Sequence, residues 1–301
     1  MREGQGLTLA AFLSRFRGVL LGVLGVAAVV AAWDLYKAFG PEQGVLVGDT
    51  RILPRTTDLA MPHSWEMLQR FGEPVTSLRG APDAFSAVYD ASMFSLGLAA
   101  RGWVIGVVVG LVLALAMSRF RIVESALLPW VVLSQTVPLI AIAPLVRRWG
   151  SEIEIGGYTW TSQDSVAVIA AYLAFFPVAV GALRGLKSPD QTHLDLMHAL
   201  GVGWWRTLLT LRLPASVPFL LPALRLAAAS AVIGAVVAEV SIGLKGGLGR
   251  MVIDYAVAAS GDPAKPWAPI FGAVAIGLVA AGAVGLLGLV LRPFRLTGAP
   301  R

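Results

Sequence analysis

The run Gly181-Ala-Leu-Arg-Gly185-Leu-Lys-Ser188 comes nearest in this chain to a phosphate-binding loop, and it fails on two counts. A residue separates its second glycine from the lysine. The run also closes a hydrophobic stretch, whereas a nucleotide loop follows a strand. Any ATP-driven step therefore needs energy from a second polypeptide. Metal chemistry is equally short of donors. Cysteine is absent, which removes thiolate ligands, disulfides and cysteine nucleophiles together. Of His63, His193 and His198, the last two stand five apart and fall on different sides of a helix. No catalytic group, no metal ligand set and no directly bound cofactor are expected.

The remaining polar residues of interest lie inside hydrophobic runs, where each needs a partner or a cavity. Ser134, Gln135 and Thr136, followed by Pro138, fall near the middle of one run. They are candidates for lining a passage or for bonding to a neighbouring helix. Glu239, near the outer end of a later run, is expected at the interface or in an ion pair. Arg225, near the inner end of that run, is placed to reach the head groups.

The elements that must position these groups follow from composition. Of 301 residues, 56% are hydrophobic and only 14% charged, with mean hydropathy +0.74. Soluble domains carry about 25% charged residues, so the chain reads as a polytopic membrane protein, all-α. Its net charge of +6 does not indicate a nucleic-acid partner, because the basic residues are scattered at span ends. Six transmembrane spans are expected, at about 18–39, 95–117, 122–146, 166–186, 217–242 and 268–291. The first is long enough to be a retained helix; a cleaved signal peptide is its competitor. Residues 40–90 read as a long polar external loop with a short helix near 64–71, so residues 1–91 divide from a core at 92–301. Gly102, Gly106 and Gly110 recur every four residues, the pattern of a close helix–helix seam in lipid. Pro218 and Pro222 are expected to break the fifth span.

Charge distribution orients the bundle. With both termini in the cytoplasm, Arg2, Arg15, Arg17, Arg119, Arg121, Arg184, Lys187, Arg206, Arg212, Arg292, Arg295 and Arg301 lie inside. Most acidic residues, among them Glu42, Asp49, Asp58, Glu66, Glu73, Asp83, Asp90, Glu152, Glu154, Asp164, Asp254 and Asp262, then lie outside. Arg147 and Arg148 break the rule on the outer side; the long first external loop also carries several basic residues, but a loop of that size counts weakly.

Between the fourth and fifth spans, residues 188–214 read as two short helices joined by a glycine turn. Ser188 is a candidate cap, Pro189 suits the first position, and Gln191 completes a capping box. Gly201 supplies a left-handed stop. A second helix is expected to carry Trp204, Trp205, Leu208, Leu209 and Arg212 on one face and to end at Pro214. This stretch resembles the "EAA" loop of bacterial ABC-importer permeases: Asp195 stands for the glutamate, Gly201 for the glycine, Leu211 for the isoleucine, and Leu213-Pro214 close the pattern. Leu196-Met197 replace the two alanines. Further upstream, Ser134-Gln-Thr-Val-Pro138-Leu-Ile-Ala-Ile-Ala-Pro144-Leu is similar to a segment of the nitrate, sulfonate and taurine group. So are Leu213-Pro-Ala-Ser-Val-Pro218, Ala223-Leu-Arg225-Leu, Ala238-Glu239 and Gly247-Leu-Gly249.

The resemblance implies a type I importer permease of the bacterial inner membrane. Its partners would be a second permease subunit, two cytoplasmic ATPases using ATP and magnesium, and an external substrate-binding protein. It assigns ATPase coupling to Asp195, Gly201, Trp204, Trp205, Arg206, Leu211, Leu213 and Pro214, with the two tryptophans as anchors and Gly201 setting the angle. It also places Ser134, Gln135, Thr136 and Pro138 along the passage. The implied cargo is a nitrate-, sulfonate- or taurine-like organic anion; related permeases handle a thiamine-pyrimidine precursor or riboflavin. A secondary transporter or a polytopic scaffold is the other class, and the scarcity of intramembrane carboxylates counts against the former.

Overall fold

The computed structural model describes residues 9–290 apart from 49 and 77. The topological expectations resting on Arg2, Asp49, Arg292, Arg295 and Arg301 lie outside the described residues, as does the side chain of Arg15.

Eleven helices dominate the described chain: α1 (Leu9–Phe39), α2 (Ser64–Gln69), α3 (Ala84–Arg119), α4 (Arg121–Ser134), α5 (Leu139–Gly150), α6 (Ser162–Leu186), α7 (Gln191–Ala199), α8 (Trp204–Thr207), α9 (Leu213–Ile242), α10 (Leu248–Ala258) and α11 (Trp267–Val290). Two small antiparallel hairpins join them, β1 (Val45–Val47) with β2 (Thr50–Leu53) and β3 (Glu154–Ile155) with β4 (Tyr158–Thr159). Five helical stretches are long and apolar enough to cross a membrane, or six if α4 and α5, bent by 104° at their junction, count as one.

That bend corrects the straight third span expected at 122–146. Pro138 lacks an N–H and pushes Val137 away from helical geometry. The polar side chains before it then take up the carbonyls of the last turn: Ser134 Oγ donates to Val131 O at 2.7 Å and Thr136 Oγ1 to Leu133 O at 2.8 Å. Helix α4 therefore stops at Ser134, and a new helix starts after Pro138 in another direction.

The core is a sandwich of α3, α6 and α9 held together by small residues. A Cβ on Gly102 would lie 2.4 Å from Ala170 Cβ, and one on Gly110 2.7 Å from Phe175 O, so α3 and α6 touch backbone to backbone. The expected glycine seam is borne out. On its other face α6 meets α9 the same way: a Cβ on Gly181 would meet Ala223 Cβ at 2.3 Å, and one on Gly185 would meet Ser216 Cβ at 2.8 Å. The two glycines that mimicked a phosphate loop are therefore helix-packing positions.

Three further boundaries differ from the expectation. Helix α3 starts at Ala84, not near 95, because Asp83 caps it, its carboxylate accepting from the Ser86 N–H at 3.3 Å. Hydropathy marks where a helix enters lipid, not where it begins. Pro214, Pro218 and Pro222 neither end nor break their helix, and residues Trp204–Ile242 run as one stretch. A π-turn at Leu208–Arg212 closes with the Leu213 N–H bonded to Leu208 O, and this wider turn receives Pro214. Residues 243–267, expected as a plain external segment, contain α10.

At the end of the bundle opposite α7, the loop after α1 is fastened down. Trp33 Nε1 donates to Pro62 O at 3.0 Å, and Lys37 pairs with Asp58 at 2.5 Å. The Lys37 hydrogen bond holds the Asp58 carboxyl below the usual carboxylate range. The buried Arg70 pairs with Asp262 at 2.6 Å, tying the turn after α2 to the segment before α11. By contrast, the apolar stretch Leu20–Ala32 before these contacts is exposed throughout.

Candidate functional site

At one end of the bundle the chain leaves the core altogether. None of the nine residues of α7 is buried. The helix ends in a left-handed turn at Gly201, φ +65°, whose N–H bonds to His198 O at 2.9 Å while the Val202 N–H bonds to Met197 O at 2.9 Å. This paired closure needs glycine at its left-handed position. The expected stop is therefore in place. The expected start is not: Asp190 occupies the cap position, and the Ser188 hydroxyl instead lies 2.7 Å from Gly185 O and 3.2 Å from Ala215 O. Ser188 joins the end of α6 to the start of α9, so it cannot cap α7. Gln191 likewise turns forward, its amide donating to Asp195 Oδ1 at 3.0 Å.

The two tryptophans divide the surface between them. Trp204 is half-buried against the inner core cluster that includes Met117, Leu186 and Leu208, with Arg119 5.1 Å above its ring. Trp205, edge-on to it, is 71% exposed. The single face expected through Trp204, Trp205, Leu208, Leu209 and Arg212 is in fact two, because consecutive helical residues point about 100° apart. Leu208 is buried while Leu209 is exposed, and Arg212 turns back to donate to Leu186 O at 3.3 Å. Leu211, Leu213 and Pro214 are half-buried; Asp195 and Arg206 are exposed. The outward surface thus carries Leu196, Leu200, Trp205 and Leu209, large apolar side chains beside polar ones.

The polar run at the α4–α5 break has mostly local partners. Gln135 Nε2 donates to Ser134 Oγ at 3.1 Å, and the Tyr172 hydroxyl of α6 donates to Ser134 O. That contact with α6 runs through a backbone carbonyl, and the three polar side chains themselves bond only within their own turn. Thr136 and Pro138 are exposed. Beyond the break, the last turn of α5 meets the end of α9, and Arg147 Nη1 donates to Ile242 O at 3.0 Å. Arg225 reaches Gly285 O on α11 at 3.5 Å while staying exposed.

Glu239 corrects the sequence reading most. It is fully buried and, among the described residues, pairs with no cation. Its Oε2 accepts from Ser95 Oγ at 2.9 Å and from the Gly249 N–H at 2.8 Å, while Ser95 Oγ accepts from the Leu248 N–H at 2.9 Å. A Cβ on Gly247 would sit 2.3 Å from the Glu239 carboxyl carbon. The carboxyl is therefore the peg on which the turn into α10 hangs, joining α3, α9 and α10. Only the neighbouring glycines hint at this in the sequence. Replacing Glu239 with leucine strands two buried donors and should cost about 3 kcal/mol. Glu239→Gln, which keeps an acceptor for both, should cost less than half as much. Thermal unfolding in detergent separates the two, and equal losses would refute the peg role.

Among the described residues no group of three or more His, Asp or Glu side chains is placed to hold a metal ion. A multi-pass α-helical membrane bundle with a projecting amphipathic elbow is the class that fold and site define together. The chain belongs to the binding-protein-dependent transport system inner membrane components, the permeases of ABC transporters, whose family model matches residues 106–294. The bundle is accordingly a type I ABC permease fold. Over 205 residues the chain is 33% identical to the formylaminopyrimidine transport permease protein ThiX of Halalkalibacterium halodurans, spanning 67% of this chain and 76% of that one. It is 25% identical over 237 residues to the putative aliphatic sulfonates transport permease protein SsuC of Bacillus subtilis, 79% of this chain and 74% of that one. To the riboflavin transport system permease protein RibX of Chloroflexus aurantiacus it is 29% identical over 135 residues, 45% of this chain and 47% of the other.

Proposed function

We propose that this permease forms the membrane passage of an ATP-driven importer, moving a small solute handed over by an external binding protein. The observation that carries the reading is the projecting α7–α8 elbow, which presents Leu196, Leu200, Trp205 and Leu209 to a partner instead of to its own core. In this reading the elbow is cytoplasmic, both termini lie on its side, and it seats in a groove of a separate ATPase subunit. Apolar anchors fix its position while the helix transmits force. Asp195, Gly201, Trp205 and Arg206 form the contacting surface. Trp204, Leu211, Leu213 and Pro214 transmit its motion, because they root the elbow in the start of α9. Closure of an ATPase dimer on ATP and magnesium then rotates the spans as bodies. A second permease subunit completes the passage, lined in part by the break at Ser134, Gln135, Thr136 and Pro138, since non-helical backbone at membrane depth is tolerated where it lines a passage.

The cargo in this reading is a small organic anion of the nitrate, sulfonate or taurine kind, supported by the likeness to the sulfonate permease along most of both chains. A pyrimidine vitamin precursor is the second reading, favoured by the higher identity to the formylaminopyrimidine permease. Uptake into vesicles carrying the permease, its ATPase and its binding protein tests the importer class. Uptake should require ATP and survive a proton ionophore. Uptake without ATP that the ionophore abolishes would make it a secondary transporter.

A further inference from the structure

Arg147 and Arg148 are among the basic charges that stand against the topology. Basic residues gather at one end of a membrane bundle, yet these two stand at the end opposite α7, in the last turn of α5. A helix C-terminus welcomes a cation, and Arg147 plays that part across the gap, donating to Ile242 O at the end of α9. Arg148 does not. It is exposed, and among the described residues no carboxylate lies within 4.0 Å of its guanidinium. Both arginines border an open cavity of about 390 Å³, lined by Pro144 and Ser151 on one side and by Ser241 and Ile242 on the other.

We propose that this cavity receives an oxyanion: Arg148 presents its guanidinium to the sulfonate, carboxylate or phosphate group of the cargo, while Arg147 holds α5 against α9. The inference rests on the importer reading, in which the break that leads into α5 lines the passage and the end opposite the elbow lies outside. A guanidinium offers a planar fork of donors that matches two oxygens of one anion, and it keeps its charge at any physiological pH. In a recessed mouth such a charge also raises the local concentration of anions. Arg147 is already committed to a carbonyl, so the second arginine supplies the free fork. An anionic lipid head group carries the same oxyanion chemistry, and the experiment separates the two sources.

The lack of native cysteine makes that experiment direct. Ser151→Cys places one thiol on the cavity wall of the full permease, reconstituted with its ATPase in phosphatidylcholine vesicles. Labelling by sulfonatoethyl methanethiosulfonate is compared with labelling by the trimethylammonium reagent, with Arg148 present and with Arg148→Gln. The anion preference should fall about tenfold on Arg148→Gln, as expected for one charge within about 8 Å at a protein surface. Ethanesulfonate should slow the anionic label in the Arg148 protein only. Arg148→Lys, a point charge without the fork, should keep the preference and lose most of this protection. An unchanged preference, or no protection by ethanesulfonate, overturns the proposal. Protection and preference that both vanish when phosphatidylglycerol is added would assign the site to lipid head groups and overturn the cargo role. Labelling needs no nucleotide, so failure of the importer reading, seen as ATP-independent uptake, is a separate result from failure of this site.

Discussion

Gly201→Asp should leave the bundle in the membrane at normal abundance and cut ATP-driven uptake at least about tenfold. Two physical effects combine. Gly201 holds φ +65°, and a side chain there costs about 1–2 kcal/mol, with aspartate at the lenient end of that range. Nothing lies within 4 Å of a Cβ at this position, so no clash carries the strain into the core. It stays in α7, which buries no residue and therefore contributes little to holding the spans together. The second effect is electrostatic. The new carboxylate stands between Leu200 and Trp205, both exposed, and must be desolvated when that apolar surface is covered. Each 1.4 kcal/mol is tenfold in affinity, so strain and desolvation together suffice. Gly201→Asn keeps the left-handed tolerance without the charge and should fall between. The check is co-purification of the ATPase from membranes expressing each variant. An ATPase recovered in full with Gly201→Asp would rule out the elbow as its docking element.

That turn was legible in the sequence because a left-handed helix end is a local requirement that glycine alone meets cheaply. The seam of Gly102, Gly106 and Gly110 was legible for a similar reason: its period is the helix's own. Other features were not, and the prolines show why. Pro138 coincides with a sharp break, whereas Pro218 and Pro222 sit inside a continuous helix. Locally all three do the same damage. The difference lies in the surroundings. Ser134 and Thr136 stabilise a chain end before Pro138 by bonding its carbonyls, while α9 is gripped by α6 through Ala223 and Ser216 on either side of its prolines. Tertiary packing decides, and local pattern cannot see it.

The site divides the same way. The sequence marks Trp204 and Trp205 as a pair, but as neighbours on one helical turn they point about 100° apart, and packing gives one to the core and the other to solvent. Glu239 has its chief side-chain partner, Ser95, 144 residues away, so no window of sequence contains the interaction. Its burial reverses the general expectation that a carboxylate near a span end seeks water. What replaces water is a set of N–H and O–H donors brought together by three helices, and that set exists only after folding.

The largest effect on stability is expected at the α3–α6 seam. Gly106→Ala adds a single methyl group, placed 2.7 Å from Ala174 Cβ and 2.9 Å from Ala171 O. The second contact is with backbone, which cannot swing aside as a side-chain tip does. The helices must part by several tenths of an ångström, and Gly102 and Gly110, on the same stripe, lose their fit with them. Overpacking of this kind costs about 1–3 kcal/mol, and the upper figure applies where the seam is continuous. For a chain of this size that lowers the unfolding temperature by about 5 °C or more. Gly106→Leu should not accumulate in the membrane. Gly97 lies on the same helix but has nothing within 4 Å of its Cβ position, so Gly97→Ala removes a flexible residue without meeting a neighbour. It should be neutral or stabilise by up to about 1 kcal/mol. Thermal unfolding of the two alanine variants in one detergent measures the contrast. If both fell equally, helix propensity would account for the loss and the seam would not. If neither fell, α3 and α6 could not be in backbone contact at this depth, and the close packing that lets three helices move as one body under the elbow would go with it.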